Sequence, residues 1–240
     1  MLFPIGDDQI KGGYFPYISY GFIGLNLLIF LYQSSFPDGL ACTYGAIPDD
    51  IRSGNAIINL FTSQFLHGGW MHLIGNMLFL WVFADNIEAT IGNVRFLIFY
   101  LIGGAVAALT HIYFNGSTDG ICCAVCLDEY NCDAICRGSI PMIGASGAIA
   151  AVMGAYLVMF PRSRVRVFFF FLFFYVPAFV FLLFWIGQQF FSGVTSLALV
   201  EGDGVAWWAH IGGFIFGALA GLYFRQRSDW KRKREYDGLV

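Results

Sequence analysis

Six apolar segments, each near the roughly 20 residues that a membrane-crossing helix needs, constrain this chain more than any motif. They run over about 17–32, 71–91, 94–114, 143–158, 167–191 and 206–224 of the 240 residues. Only 12% of the residues are charged and 58% are hydrophobic, whereas soluble domains carry about 25% charge. The chain is therefore read as an all-α membrane protein with six transmembrane helices. Residues 1–16 form a cytoplasmic N-terminal segment in this reading. Residues 17–224 form the membrane domain, with a cysteine-rich external loop at 115–139, and 225–240 form a basic tail. Pro161 ends the fourth segment, and Pro177 is expected to kink the phenylalanine-rich fifth. No internal repeat is visible. No small-residue cleavage site follows the first acidic residues, so the first span is expected to stay.

The basic residues set the orientation. Six spans put both termini on one side. Lys11, Arg95, Arg162, Arg164, Arg166, Arg225, Arg227, Lys231, Arg232, Lys233 and Arg234 all fall there, and only Arg52 and Arg137 fall opposite. That side is read as cytoplasmic, with the protein expected in the plasma membrane. Cys42, Cys122, Cys123, Cys126, Cys132 and Cys136 are then all external, where thiols tend to be oxidised. Six cysteines allow three disulfides in fifteen pairings. The alternative is a zinc site, since Cys123-x2-Cys126 and Cys132-x3-Cys136 have metal-ligand spacing. The oxidising side favours disulfides, and no metal or other cofactor is expected.

A polar group inside a span is expensive and so is a candidate for function. His72 and Asn76 are four apart and share one helix face, one turn in from the external end. His210, Gly213, Gly217 and Gly221 form a stripe in the sixth segment, and Ser146, Ala150 and Gly154 form a matching one in the fourth. Small residues let two helices approach backbone to backbone. Joined along these stripes, the helices leave Ser146 and His210 as the polar groups at the seam, at similar depth. A hydroxyl within reach of an imidazole in a water-poor site is an activated nucleophile. His72, Asn76 and the Ser146 backbone N–H can donate to the oxyanion of an acyl transfer. No Asp or Glu lies at that depth, so a dyad is expected. Interhelical packing by unrelated polar residues is the alternative.

These residues resemble a known family, the rhomboid intramembrane serine proteases, over almost the whole chain. The resemblance is carried by Gly144-Ala145-Ser146-Gly147, by His67-x4-His72-x3-Asn76, and by Ala209-His210 followed by Gly213 and Gly217. The opening Phe3-Pro4-Ile5-Gly6-Asp7-Asp8 and Tyr44-Gly45-Ala46-Ile47-Pro48 are similar to prokaryotic members. The resemblance implies a six-helix bundle with Ser146 as nucleophile and His210 as general base. It implies an oxyanion hole of His72, Asn76 and the Ser146 amide, with His67 bracing the first external loop. It also implies single-span membrane proteins as substrates, the bilayer as surroundings, and no nucleic-acid partner. Segment five would then be a movable wall, with residues 190–204 as a cap.

Two positions depart from the family pattern. Ile58 and Asn59 stand where many members have Trp-Arg, and Ala150 stands where many have an aromatic packed against the histidine. Something else must orient His210. His111 is read as a packing histidine, Glu88 and Arg95 as a pair or caps, and residues 168–174 as lipid-facing. The basic tail suits anionic lipid. A non-catalytic client-binding relative is one rival reading. A transporter or channel is another, though repeats or midplane charges, which such proteins show, are missing here.

Overall fold

A computed structural model describes residues 3–10, 12–36, 39–115, 140–198 and 205–227. Among these are six long helices, five of which coincide with apolar segments and one of which, α8, covers only the second half of the fifth: α1 (Tyr17–Gln33), α5 (Trp70–Ile91), α6 (Asn93–Asn115), α7 (Ser146–Met159), α8 (Ala178–Ala198) and α9 (Trp207–Arg227). Short helices α2 (Gly39–Tyr44), α3 (Pro48–Arg52) and α4 (Asn59–Thr62) lie between α1 and α5. By length and composition alone, 93–114, 178–196 and 207–226 qualify as membrane spans; α1 and α7 are apolar but shorter. The cysteines at 122–136, the tip of the proposed cap and most of the basic tail lie outside the described residues.

Helix α7 is the centre of the bundle. Almost every side chain from Gly147 to Tyr156 is buried, because the faces turned to α5, α6 and α9 are all covered. Contact with α9 is backbone to backbone: a Cβ added at Gly217 would sit 1.8 Å from the Ala151 carbonyl oxygen. One at Gly213 would sit 2.2 Å from the Gly147 oxygen. Helix α6 approaches through Gly103 and Ala107 in the same way. Lipid tails are as apolar as leucine, so close van der Waals packing of this kind is what holds membrane helices together.

The structure corrects the fifth segment. Residues 167–177 do not span; they belong to a hairpin of β2 (Arg164–Phe169) and β3 (Leu172–Pro177). Strand β1 (Phe3–Asp7) pairs antiparallel with β2, so the order is β1-β2-β3. This small sheet is absent from the all-helical expectation. Its signal was the alternation Arg164-Val165-Arg166-Val167, in which the valines are buried and the arginines are not. A period of two describes a strand. Phe170 and Phe171 form the turn with φ of 46° and 66°, the positive values of a primed hairpin turn. Pro177 does not kink a span: it ends β3 immediately before α8.

Polar side chains lock the end of the bundle opposite Ser146. Glu88 on α5 accepts from the Ile18 and Ser19 amides at 2.8 and 2.7 Å, from the Ser19 hydroxyl at 2.6 Å and from Asn93. It therefore caps the N-terminus of α1, where helix amides lack partners, while Arg95 is exposed. Asp7 on β1 accepts from the Tyr156 hydroxyl and from Asn86 at 2.6 Å. Burial, opposed in part by the Tyr156 hydrogen bond, pushes its carboxyl up to about 7. Asp8 pairs with Arg164 at 3.2 Å on the exposed edge.

The close approach at Gly217 yields a prediction. Gly217→Val must force α7 and α9 apart, at a cost of about 1–3 kcal/mol or more. Its thermal midpoint in detergent should fall below that of Leu219→Val, a change on an exposed position of the same helix; equal midpoints would contradict the packing described.

Candidate active site

Ser146 opens α7, and the chain reaches it through a pinned turn. Ala46 and Met142 exchange two backbone hydrogen bonds of 2.9 Å, and the Gly144 amide donates to the Ser63 carbonyl at 2.9 Å. The Tyr44–Pro48 motif thus anchors the segment that carries the serine. Gly144 has φ +127°, a conformation that L side chains rarely adopt. A Cβ there would also lie 2.8 Å from the His72 ring.

His210 is delivered by α9, one turn ahead of the glycines that seat this helix on α7. The Ser146 Oγ and His210 Nε2 are 2.8 Å apart. On the other side of the ring, His210 Nδ1 lies 2.7 Å from Gln189 Oε1 on α8. Both His210 and Gln189 are buried. Trp185, one turn before Gln189, and Trp207 place their rings 5.7 and 6.2 Å from the imidazole. Ala150 is fully buried, and the rings beside His210 come from α8 and α9. Gln189 was not singled out in the sequence. The signal was there: two adjacent glutamines interrupt the apolar run 167–191, and such groups in a span call for a partner.

His72 and Asn76 flank the Ser146 turn as their spacing implies. The Gly68 amide donates to His72 Nδ1 at 3.4 Å, which leaves the proton on Nε2, the edge that faces Gly144. Asn76 is buried, and its Nδ2 has no partner among the described residues. A virtual Cβ on Gly144 lies 3.7 Å from that nitrogen. The first amides of α7 also lack helical acceptors. Several donors therefore converge on the space beside Ser146. His67 is buried, edge-on to His72 with ring centres 5.2 Å apart. Burial, with the His72 charge as a second cause, pushes its imidazole down to about 4, so it is neutral. Its backbone exchanges hydrogen bonds with the Gln33 side chain at 3.0 and 3.1 Å, tying the loop to α1.

Asn59, where many rhomboids have arginine, is buried and donates to the Thr43 and Gly45 carbonyls at 3.0 and 2.9 Å. It holds the loop together internally, while Ile58 is exposed. Behind Ser146 lies a cavity of about 20 Å³ bordered by Ser63, Gln64 and Ala209, room for one water molecule. His111 is half-buried on α6. Among the described residues no cluster of His, Cys, Asp or Glu could hold a metal ion; of the cysteines only Cys42, on α2, is described.

Apolar helices packed into a bundle, with a serine at a helix start within reach of a buried imidazole, describe an integral membrane protein with a polar centre between its helices. A Rhomboid domain model matches residues 54–227, and the chain belongs to the rhomboid family. It is 25% identical to Rhomboid protein 1, mitochondrial, of Saccharomyces cerevisiae, across 90% of this chain and 55% of that protein. It is 29% identical to RHOMBOID-like protein 12, mitochondrial, of Arabidopsis thaliana, across 74% and 49%. Rhomboid protease GluP of Bacillus subtilis is 27% identical across 62% and 26%. The chain thus spans about half or less of the length of these relatives. Mitochondrial as well as bacterial proteins are among them, so the expectation of a plasma membrane is not supported; an integral membrane protein is.

Gly144 supplies the test of this geometry. Gly144→Ala places a methyl group against His72 at a strained φ, at a cost of order 1–3 kcal/mol. The thermal midpoint should fall, and more than for Gly75→Ala, where an added Cβ meets nothing.

Proposed function

We propose that the protein is an intramembrane serine endopeptidase that cuts membrane-protein substrates in or near their transmembrane segments. The observation that carries this reading is the 2.8 Å contact between Ser146 Oγ and His210 Nε2. In the proposed course, a single-span substrate helix leaves the bilayer and unwinds locally, since a helical amide is hydrogen-bonded and shielded. Neutral His210 accepts the Ser146 proton as Oγ attacks the scissile carbonyl, then gives that proton to the leaving amine. His72 Nε2, Asn76 Nδ2 and the Ser146 amide donate to the oxyanion, and water then hydrolyses the acyl-enzyme. The unpartnered Asn76 amide supports that role, because a buried donor without an acceptor is costly unless something uses it. The family is generally one of intramembrane serine proteases, and the GluP relative is named as a protease.

The basic bias supports both termini on the cytoplasmic or equivalent side, with the site opening to the other. On that opposite side we propose that Cys42, Cys122, Cys123, Cys126, Cys132 and Cys136 form disulfides. Intact mass after alkylation without reductant should show fewer than six modified thiols; six would exclude the pairing.

Reaction of purified protein with a fluorophosphonate tests the enzyme reading. The full chain should be labelled and Ser146→Ala should not, while Asn76→Ala should label roughly 10²–10³-fold more slowly. Equal labelling of wild type and Ser146→Ala would instead favour a client-binding, non-catalytic rhomboid.

A further inference from the structure

His210 can act as a base toward Ser146 only as one tautomer. Its Nε2 must be bare to accept the hydroxyl proton, so a neutral ring must carry its proton on Nδ1. A neutral histidine ring left to itself favours the other tautomer, with the proton on Nε2, so its surroundings must select the productive one. The family's usual aromatic is missing at Ala150, and no carboxylate lies beside the imidazole among the described contacts.

We infer that Gln189 is a positioning residue for the proposed Ser146–His210 pair: its side-chain carbonyl accepts the Nδ1 proton and so fixes both the tautomer and the plane of the imidazole. This inference rests on the serine-protease reading above. The 2.7 Å distance and the burial of both side chains make the contact a short hydrogen bond in a water-poor setting, where such bonds are strong. The amide is suited to the task. A glutamine oxygen accepts a hydrogen bond from Nδ1–H without taking up the proton, and its dipole also favours the imidazolium that forms when Ser146 gives up its proton. Trp185, four residues earlier on the same face of α8, covers the ring with its indole. Together they do from α8 what an aromatic at 150 would do from α7.

The source of the contact has a consequence. Helix α8 is the least buried of the three helices that qualify as spans by length and composition, with Leu183, Phe184, Phe190 and Phe191 exposed along it. Its link to the base is the Gln189–His210 bond and the Trp185 contact. The orientation of the base therefore depends on where α8 sits.

Saturation kinetics of fluorophosphonate labelling on the full chain in lipid nanodiscs test this, with Gln189→Leu, Gln189→Glu and Ser146→Ala compared to wild type. Gln189→Leu should lower the maximal labelling rate about 10–100-fold, as loss of an orienting partner does at other histidines, and leave the half-saturating concentration unchanged. Gln189→Glu, which keeps an acceptor oxygen, should restore most of that rate. A wild-type maximal rate in Gln189→Leu, or an equal loss in both variants, overturns the inference. The ¹⁵N spectrum of the His210 ring, assigned against His210→Asn, reads the tautomer without any activity. It should show a proton on Nδ1 in wild type and a mixture in Gln189→Leu, and an unchanged spectrum overturns the inference too. Failure of the protease reading looks different: wild type and Ser146→Ala would label alike while the ring spectrum still reports on Gln189.

Discussion

The backbone-to-backbone seam between α7 and α9 is the constraint on which the rest of the structure depends. A membrane interior offers no hydrophobic gain for bringing two helices together, so close packing must supply the attraction. Gly213, Gly217 and Gly221 on one side, with Gly147, Ala151 and Ala155 on the other, allow carbonyl oxygens of α7 to touch the α9 backbone. That contact sets the separation and rotation of the two helices, and with them the distance between Ser146 and His210. Larger residues would hold the helices apart and leave a serine and a histidine facing each other across a gap. The smallness of α7 is thus a condition for the contact between Ser146 and His210.

Around that seam, polar groups act as stitches, each placed where an unpaired group would be costly. Glu88 caps α1, Gln33 ties α1 to the loop before α5, and Gln64 donates to the Leu60 and Leu101 carbonyls at 2.8 and 3.1 Å. Asn59 and the Ala46–Met142 bridge hold the loop between α1 and α5 against the turn that carries Ser146. Asn76 Nδ2 is one of several buried groups without a partner among the described residues, with the Tyr100 hydroxyl, Trp208 Nε1 and the His67 ring nitrogens; what distinguishes it is its place beside the Gly144 turn that leads to Ser146.

Legibility varied with the range over which each signal acts. Helices α5, α6 and α9 were visible as long apolar runs because their period and length are local properties. The shared face of His72 and Asn76 followed from helical spacing alone, and so did a small-residue face on α7, though the residues that meet Gly213, Gly217 and Gly221 are Gly147, Ala151 and Ala155, one position on from the expected Ser146, Ala150 and Gly154. The β2–β3 hairpin was not seen: Phe168 to Val176 is apolar enough to look like part of a span, and the Arg-Val alternation ahead of it was read only as positive charge. What separates the two readings is β1, more than 150 residues away in sequence, whose open edge gives β2 a partner. Gln189 was missed for a related reason. It lies in the same run, and nothing within the run states what a glutamine there would touch.

The sequence by itself determined that this chain is a helical membrane protein, which residues could carry chemistry, and that small-residue stripes on two helices would meet. These are consequences of composition and of the 3.6-residue period, which act over a few turns. The tertiary structure alone decided that His210 meets an amide from α8, that the strand Phe3–Asp7 closes a sheet, and that the serine turn is pinned by the loop between α1 and α5. Each of those depends on contacts between segments far apart in the chain, where the geometry of packing, not local preference, chooses the partner.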